Sequence, residues 1–149
     1  MKLGDVRFLN VADVLTIHEN TIRHEGGMAG LRDPGLLESA VLMPQQQFGG
    51  EYLHPGLAEM AAAYLFHISQ NHAFHDGNKR TAVLAALIFL DVNGVSSLPP
   101  PDELEEMALA VAAGKATKDE LIAWMRTQLD RTACSPERPD KEASRWKSS

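Results

Sequence analysis

Apolar residues recur along most of this chain at three- and four-residue spacing, and the breaks between the runs carry helix start and stop residues. Val11, Val14, Leu15, Ile17, His18 and Ile22 fall near one side of a first helix. Asn10 caps it, and it runs through His24 to a stop at Gly26-Gly27. Val6 to Leu9 ahead of it reads as a short strand or as a plain lead-in. Asp33-Pro34 is a start signal for a second helix that buries Leu36, Leu37, Ala40 and Val41 and ends before Pro44. A third opens at Pro55 and repeats Leu57, Met60, Ala61, Tyr64, Leu65 and Ile68. The run from Thr81 to Leu90 is almost wholly apolar and bounded by Asn93-Gly94, which predicts a buried fourth helix. Asp102 caps a fifth helix to about Ala113, closed by Gly114. Thr117-Lys118-Asp119-Glu120 forms a capping box for a sixth, through Leu129. Gly26 to Arg32, with three glycines, suits a flap or tight hairpin near a site, and Gln45 to Tyr52 is a polar connection. The pattern predicts one all-α domain over residues 1–129. Residues 130–149 lack periodicity and are expected to form a disordered tail.

Composition agrees and narrows the setting. A hydrophobic content of 44% with few aromatics favours helices over sheet. A formal net charge of −6 argues against a duplex-binding surface, so no nucleic-acid partner is expected. Cys134 is the single cysteine and cannot form an internal disulfide. Met1 to Asp13 has no leader-like run, and Ala82 to Leu90 falls well short of the about 20 apolar residues that span a bilayer. A cytoplasmic protein with no membrane partner is expected.

The chemistry is concentrated in His72-Ala-Phe-His-Asp-Gly-Asn-Lys-Arg80, which leads into the buried fourth helix. A helix N-terminus offers unpaired N–H groups and the positive end of the macrodipole, so it favours an anion. Two cations beside such a terminus make sense if a phosphate binds there. Gly77 lets a phosphate approach the amides. Asn78 can donate to a phosphate oxygen or cap the helix, and Lys79 and Arg80 supply charge. Asp76 is a hard oxygen ligand for Mg²⁺, and the imidazole of His72 is the side-chain type suited to a general base. Phe74 is read as a core anchor, His75 as an outward residue, and His67 as a polar helix-face residue. His67, His72, His75 and Asp76 do not have the spacing of a zinc site. No Gly-x-x-x-x-Gly-Lys-Ser/Thr loop and no Gly-x-Ser-x-Gly elbow occurs.

His72-x-Phe74-x-Asp76-Gly77-Asn78-Lys79-Arg80 resembles the Fic/Doc motif, and the continuation through Thr81-Ala82 is similar to its Doc (death-on-curing) branch. The resemblance runs from about Phe8 to Leu129 and includes Leu31, Asp33, Pro34 and Leu36-Leu37-Glu38. It implies a compact Fic/Doc fold of about six helices, with a glycine-rich flap and a central buried helix. It also implies a bacterial toxin that transfers the γ-phosphate of ATP to a Ser/Thr hydroxyl, with elongation factor Tu as the expected target and translation as the process stopped. By matching position, His72 would be the catalytic base, Asp76 the Mg²⁺ ligand, and Gly77, Asn78, Lys79 and Arg80 the phosphate cradle. A cognate antitoxin, with a disordered segment folding into a groove, is the implied partner.

Most other Fic proteins transfer AMP, and this chain departs from their pattern. Lys79 stands where they have glycine, Val83 where they have a second arginine, and Ala73 where they have proline. The first two changes add bulk and remove a phosphate partner, which favours phosphoryl over adenylyl transfer. AMP transfer is the alternative, and a non-catalytic nucleotide-binding protein is the alternative of another class. Thr21-x-x-x-Glu25-Gly26 also resembles a Fic self-inhibition pattern. There the glutamate pairs with that second arginine, so a solvated helix end is the expectation here.

Overall fold

The computed structural model describes residues 6–133, with side chains through residue 130. Six α-helices are joined by short connections: α1 (Val11–Glu25), α2 (Pro34–Leu42), α3 (Leu57–Asn71), α4 (Asn78–Val92), α5 (Pro101–Ala112) and α6 (Lys118–Ala133). The helix ends follow the expected chemistry. Asn10 and Asp13 form a reciprocal capping box on α1, and Asp33 accepts from the Leu36 amide with Pro34 in the first turn of α2. Thr117 and Glu120 exchange backbone and side-chain hydrogen bonds at 2.8 and 3.1 Å to start α6.

Several boundaries differ from the sequence expectation. α3 begins at Leu57 rather than Pro55, and α5 places Asp102 inside its first turn instead of at the cap. α6 continues to Ala133, four residues beyond the expected Leu129, and residues 134–149 of the expected tail lie outside the described residues. Val6 to Leu9 is a lead-in with no strand. The polar connection after α2 holds a short 3₁₀ turn (Met43–Gln45) and a small antiparallel ribbon, β1 (Gln47–Phe48) with β2 (Glu51–Tyr52). Gly49 and Gly50 both take positive φ in its two-residue loop, as a turn matched to strand twist requires.

α3 and α4 form the most extensive helix pair and share the centre of the molecule. The buried run Met60 to Leu65 is possible because Ala61, Ala62 and Ala63 let neighbours approach from several sides. α4 buries Ala82, Val83, Ala85, Ala86, Leu87, Phe89 and Leu90 against α3, α1 and α5. Tyr64 and Phe89 meet at 5.1 Å, and Phe8 stacks on Phe89 at 6.0 Å. The Tyr64 hydroxyl accepts the Leu9 amide at 2.9 Å and so ties the N-terminal lead-in to the core. Among the described residues, no helix is long and apolar enough to cross a membrane. The C-terminus of α3 and the N-terminus of α4 are joined by the six residues 72–77, so both ends of the motif loop are set in the core.

Candidate active site

His72 ends α3 in a left-handed conformation, φ 53° and ψ 47°, and is the one non-glycine residue with positive φ among the described residues. Its carbonyl is gripped by the Arg32 guanidinium, with Nε at 2.9 Å and Nη2 closer still. That bidentate contact holds an uncommon backbone conformation in place. The His72 side chain is exposed, and its ring makes no hydrogen bond to any described residue. Its imidazole therefore faces solvent on a fixed backbone.

Each following residue is also held from outside. The Ala73 carbonyl accepts the amides of Arg32 and Asp33 at 2.7 and 3.0 Å. Phe74 is buried and stacks on the His18 ring at 3.7 Å and 8°, and its strand-like pairing with Leu31 joins the glycine-rich segment to the loop. The His75 amide donates to the Gly30 carbonyl at 3.5 Å, while its side chain is exposed. The Asp76 carbonyl lies 2.7 Å from His18 Nε2, and its Oδ2 accepts the Met28 amide at 2.7 Å. The segment 26–33 is thus an irregular strap tied to the loop, not a hairpin. Gly27 has a positive φ and a backbone so close to Asp76 that a Cβ would sit 3.2 Å from the Asp76 Cβ.

Gly77, with φ 81°, is the N-cap of α4, and no side chain caps this helix. The amides of its first turn are left available to an external acceptor. Asn78 does not reach outward: its Oδ1 accepts the Phe74 amide at 3.0 Å and its Nδ2 donates to the Phe74 carbonyl at 2.9 Å. Its side chain closes the loop on itself, so only its backbone amide is left to meet an outside acceptor. Lys79 and Arg80 lie within the first turn of α4, inside a helix expected to begin at Thr81. Lys79 Nζ is 3.8 Å from Glu105 on α5, and Arg80 Nη2 is 3.5 Å from the same carboxylate. Arg80 Nε is 3.0 Å from Glu25 Oε2, yet the N–H is poorly aligned and forms no hydrogen bond. Glu25 is therefore an ion-paired residue rather than a merely solvated helix end. Val83 is fully buried in the core, away from any phosphate role.

The sequence matches the Fic/DOC family over residues 8–90. The chain belongs to this family. It is 31% identical over 121 residues to the protein kinase doc of Escherichia phage P1, covering 81% of this chain and 94% of that one. It is 39% identical over 118 residues to the toxin Doc of Mycolicibacterium smegmatis, covering 78% of this chain and 88% of that one. Within the Fic/DOC frame, sequence reading assigned His72, Asp76, Gly77, Asn78, Lys79 and Arg80 to the site, and the fold gathers all six on one loop and one helical turn.

Sequence reading missed the supports. His18 lies on the inner face of α1, where a histidine among apolar residues signals a polar contact. Arg32 stood beside a helix start signal with no hint of its target. Glu105 lies on a separate helix and gave no signal at all. Among the described residues no group of three or more His, Cys, Asp or Glu is placed to hold a metal. Asp76 alone suits Mg²⁺, which keeps water and phosphate oxygens as its other ligands. Its Oδ1 is left uncommitted by the Met28 contact.

Proposed function

We propose that this protein is a death-on-curing type toxin of a bacterial toxin–antitoxin pair. In this reading it transfers the γ-phosphate of ATP to a Ser/Thr hydroxyl of a protein, with elongation factor Tu as the target to test first. The observation that carries it is the loop of residues 72–77. Its backbone is clamped at His72, Ala73, Phe74, His75 and Asp76, while the His72 ring and the first amides of α4 stay uncommitted. Catalysis needs that combination of rigid support and free reacting groups.

The amides of Gly77, Asn78 and Lys79 and the side chains of Lys79 and Arg80 would cradle the polyphosphate, and the uncommitted Asp76 Oδ1 would ligate Mg²⁺. When bound, Mg²⁺ neutralises charge on the phosphate oxygens. The His72 imidazole takes the proton of the target hydroxyl, the oxygen attacks the γ-phosphorus, and the bond to the bridging oxygen breaks to release ADP. Arg80 must exchange at least one carboxylate for phosphate as the nucleotide binds. The names of two relatives, a protein kinase and a toxin, support phosphoryl transfer. Val83, which cannot pair with phosphate, supports it over AMP transfer. A cleft of about 440 Å³ between α1 and the strap, bordered by His18, Ile22, Leu31 and Phe74, is a concavity beside the loop that an antitoxin segment can enter.

The deciding experiment compares ATP labelled at the γ- and α-phosphates, with elongation factor Tu as acceptor. Transfer of γ label that His72→Ala abolishes is the expected result. Transfer of α label would replace the kinase reading by an adenylyltransferase. ATP binding with no label moved, and a biological effect that survives His72→Ala, would leave only a non-catalytic role.

A further inference from the structure

The left-handed backbone of His72 lacks the support that helix ends elsewhere in the molecule receive. Gly26 and Ala113, which cap the C-termini of α1 and α5, each donate an amide back into the helix, to the Ile22 and Leu109 carbonyls. His72 makes no such bond among the described residues. A histidine, unlike glycine, also meets a steric penalty at φ 53°. Left to itself, the residue would turn right-handed and carry α3 one step further. Its Cβ would then leave the chain in a different direction, and the imidazole with it.

Arg32 opposes that turn. Its backbone is fixed first, because its amide donates to the Ala73 carbonyl at 2.7 Å. From that anchor two guanidinium nitrogens reach the His72 carbonyl, at the negative end of the α3 dipole. Arg32 is exposed, yet among the described residues its guanidinium pairs with no carboxylate, and its side-chain hydrogen bonds go to this one oxygen. We propose that Arg32 is a positioning residue for the transfer reaction, selecting the left-handed state of His72 that aims the imidazole at the acceptor hydroxyl. This role presupposes that His72 is the base. Arg32 acts through the His72 backbone and touches neither nucleotide nor acceptor. A planar fork of two donors resists rotation where a single ammonium does not, so lysine is an incomplete substitute.

Arg32→Ala keeps the backbone bond to Ala73 and removes only the grip on His72. Label transfer from ATP is measured for the full chain and its variants, using whichever phosphate the wild-type chain transfers. Isothermal titration calorimetry counts the ATP-binding sites, so kcat is expressed per folded molecule. Arg32→Ala is expected to lower kcat by about ten- to a hundredfold, the scale of a base misplaced by about 1 Å. KM for ATP should be unchanged, since the phosphates meet α4 and not Arg32. Arg32→Lys should regain part of the loss. Arg32→Met, which keeps the aliphatic stem without a donor, is read in the same way should Arg32→Ala fail to fold. Full kcat without the guanidinium, or a loss confined to KM, overturns the proposal. A second readout does not depend on activity. The NMR coupling between the His72 amide and α protons reports φ, and in Arg32→Ala it should move from the left-handed to the right-handed value. An unmoved coupling overturns the proposal even where kcat falls. A wild-type chain that transfers no label would refute the enzymatic reading of the site, while the coupling would still decide whether Arg32 holds His72.

Discussion

Arg80 lies between two carboxylates, Glu25 at 3.0 Å and Glu105 at 3.5 Å, with side-chain exposures of 49% and 26% respectively. Contacts this open to water are each worth up to about 1 kcal/mol, so a polyphosphate can displace one of them readily. Glu25 is the more exposed of the two, so water screens its contact more strongly. Glu25→Gln should therefore raise ATP affinity by up to about fivefold, as read by isothermal titration calorimetry. Unchanged or weaker binding would show that Glu25 does not compete with nucleotide. Glu105 touches both cations of the first turn, so it also relieves their mutual repulsion at a helix end that itself repels them.

At the scale of elements, the motif loop works as the joint between α3 and α4, and Asn78 is its fastener. Both polar atoms of its side chain bond the Phe74 backbone, four residues earlier. Asn78→Ala would leave a part-buried amide and carbonyl unsatisfied, at about 1–3 kcal/mol. Urea unfolding should show that loss, and hydrogen exchange should show faster exchange at the Phe74 amide. Stability without faster exchange would contradict the assigned role. The joint between α3 and α6 answers to pH instead. Burial, reinforced by Lys118 and His54, lowers the His67 pKa from 6.5 to about 4. Between those values the unfolded chain binds a proton that the folded chain does not. The His67 contribution is therefore intact above about pH 6.5, declines as pH falls through this window, and levels off below about pH 4. Burial shifts His54 in the same direction. The melting temperature should drop between pH 7 and 5, and His67→Gln should make that drop shallower; parallel profiles would exclude His67 as the cause.

At the scale of the whole molecule, α3 and α4 form a two-helix centre around which the others pack, and Phe89 is the side chain that unites them with the N-terminal segment. It meets Tyr64 of α3 and Phe8 of the lead-in and is fully buried. Phe89→Ala should destabilise the protein by about 3–5 kcal/mol, measured by chemical denaturation, because the ring leaves a cavity that rigid helices cannot close. A loss below about 1 kcal/mol would mean that the surroundings collapse into the space.

The helices were legible because local rules govern them. Asn10, Asp33 and Thr117 cap where capping residues should, and the inner faces of α2 and α3 follow their spacing, whereas on α1 the expected Leu15 is exposed and Thr21 is buried in its place, because the packed stripe runs through Val14, Ile17, His18 and Thr21. The motif was legible because its chemistry is contiguous: a base, a carboxylate, a glycine and two cations fit within nine residues. The β1–β2 ribbon was overlooked although Phe48-Gly-Gly-Glu51 carries a two-residue turn signal, since strands of two residues have no measurable alternation.

What the sequence determined by itself is the set of candidate reacting groups and the helix end that presents them, because both depend on near neighbours in the chain. Tertiary structure alone decided which groups would be free. Asn78 turned inward to the loop, Arg80 met Glu25 and Glu105, and His18 and Arg32 took hold of the backbone around His72 and Asp76. Those partners lie up to 58 residues apart in the chain. Contacts over such separations follow from how helices pack, which no local spacing encodes.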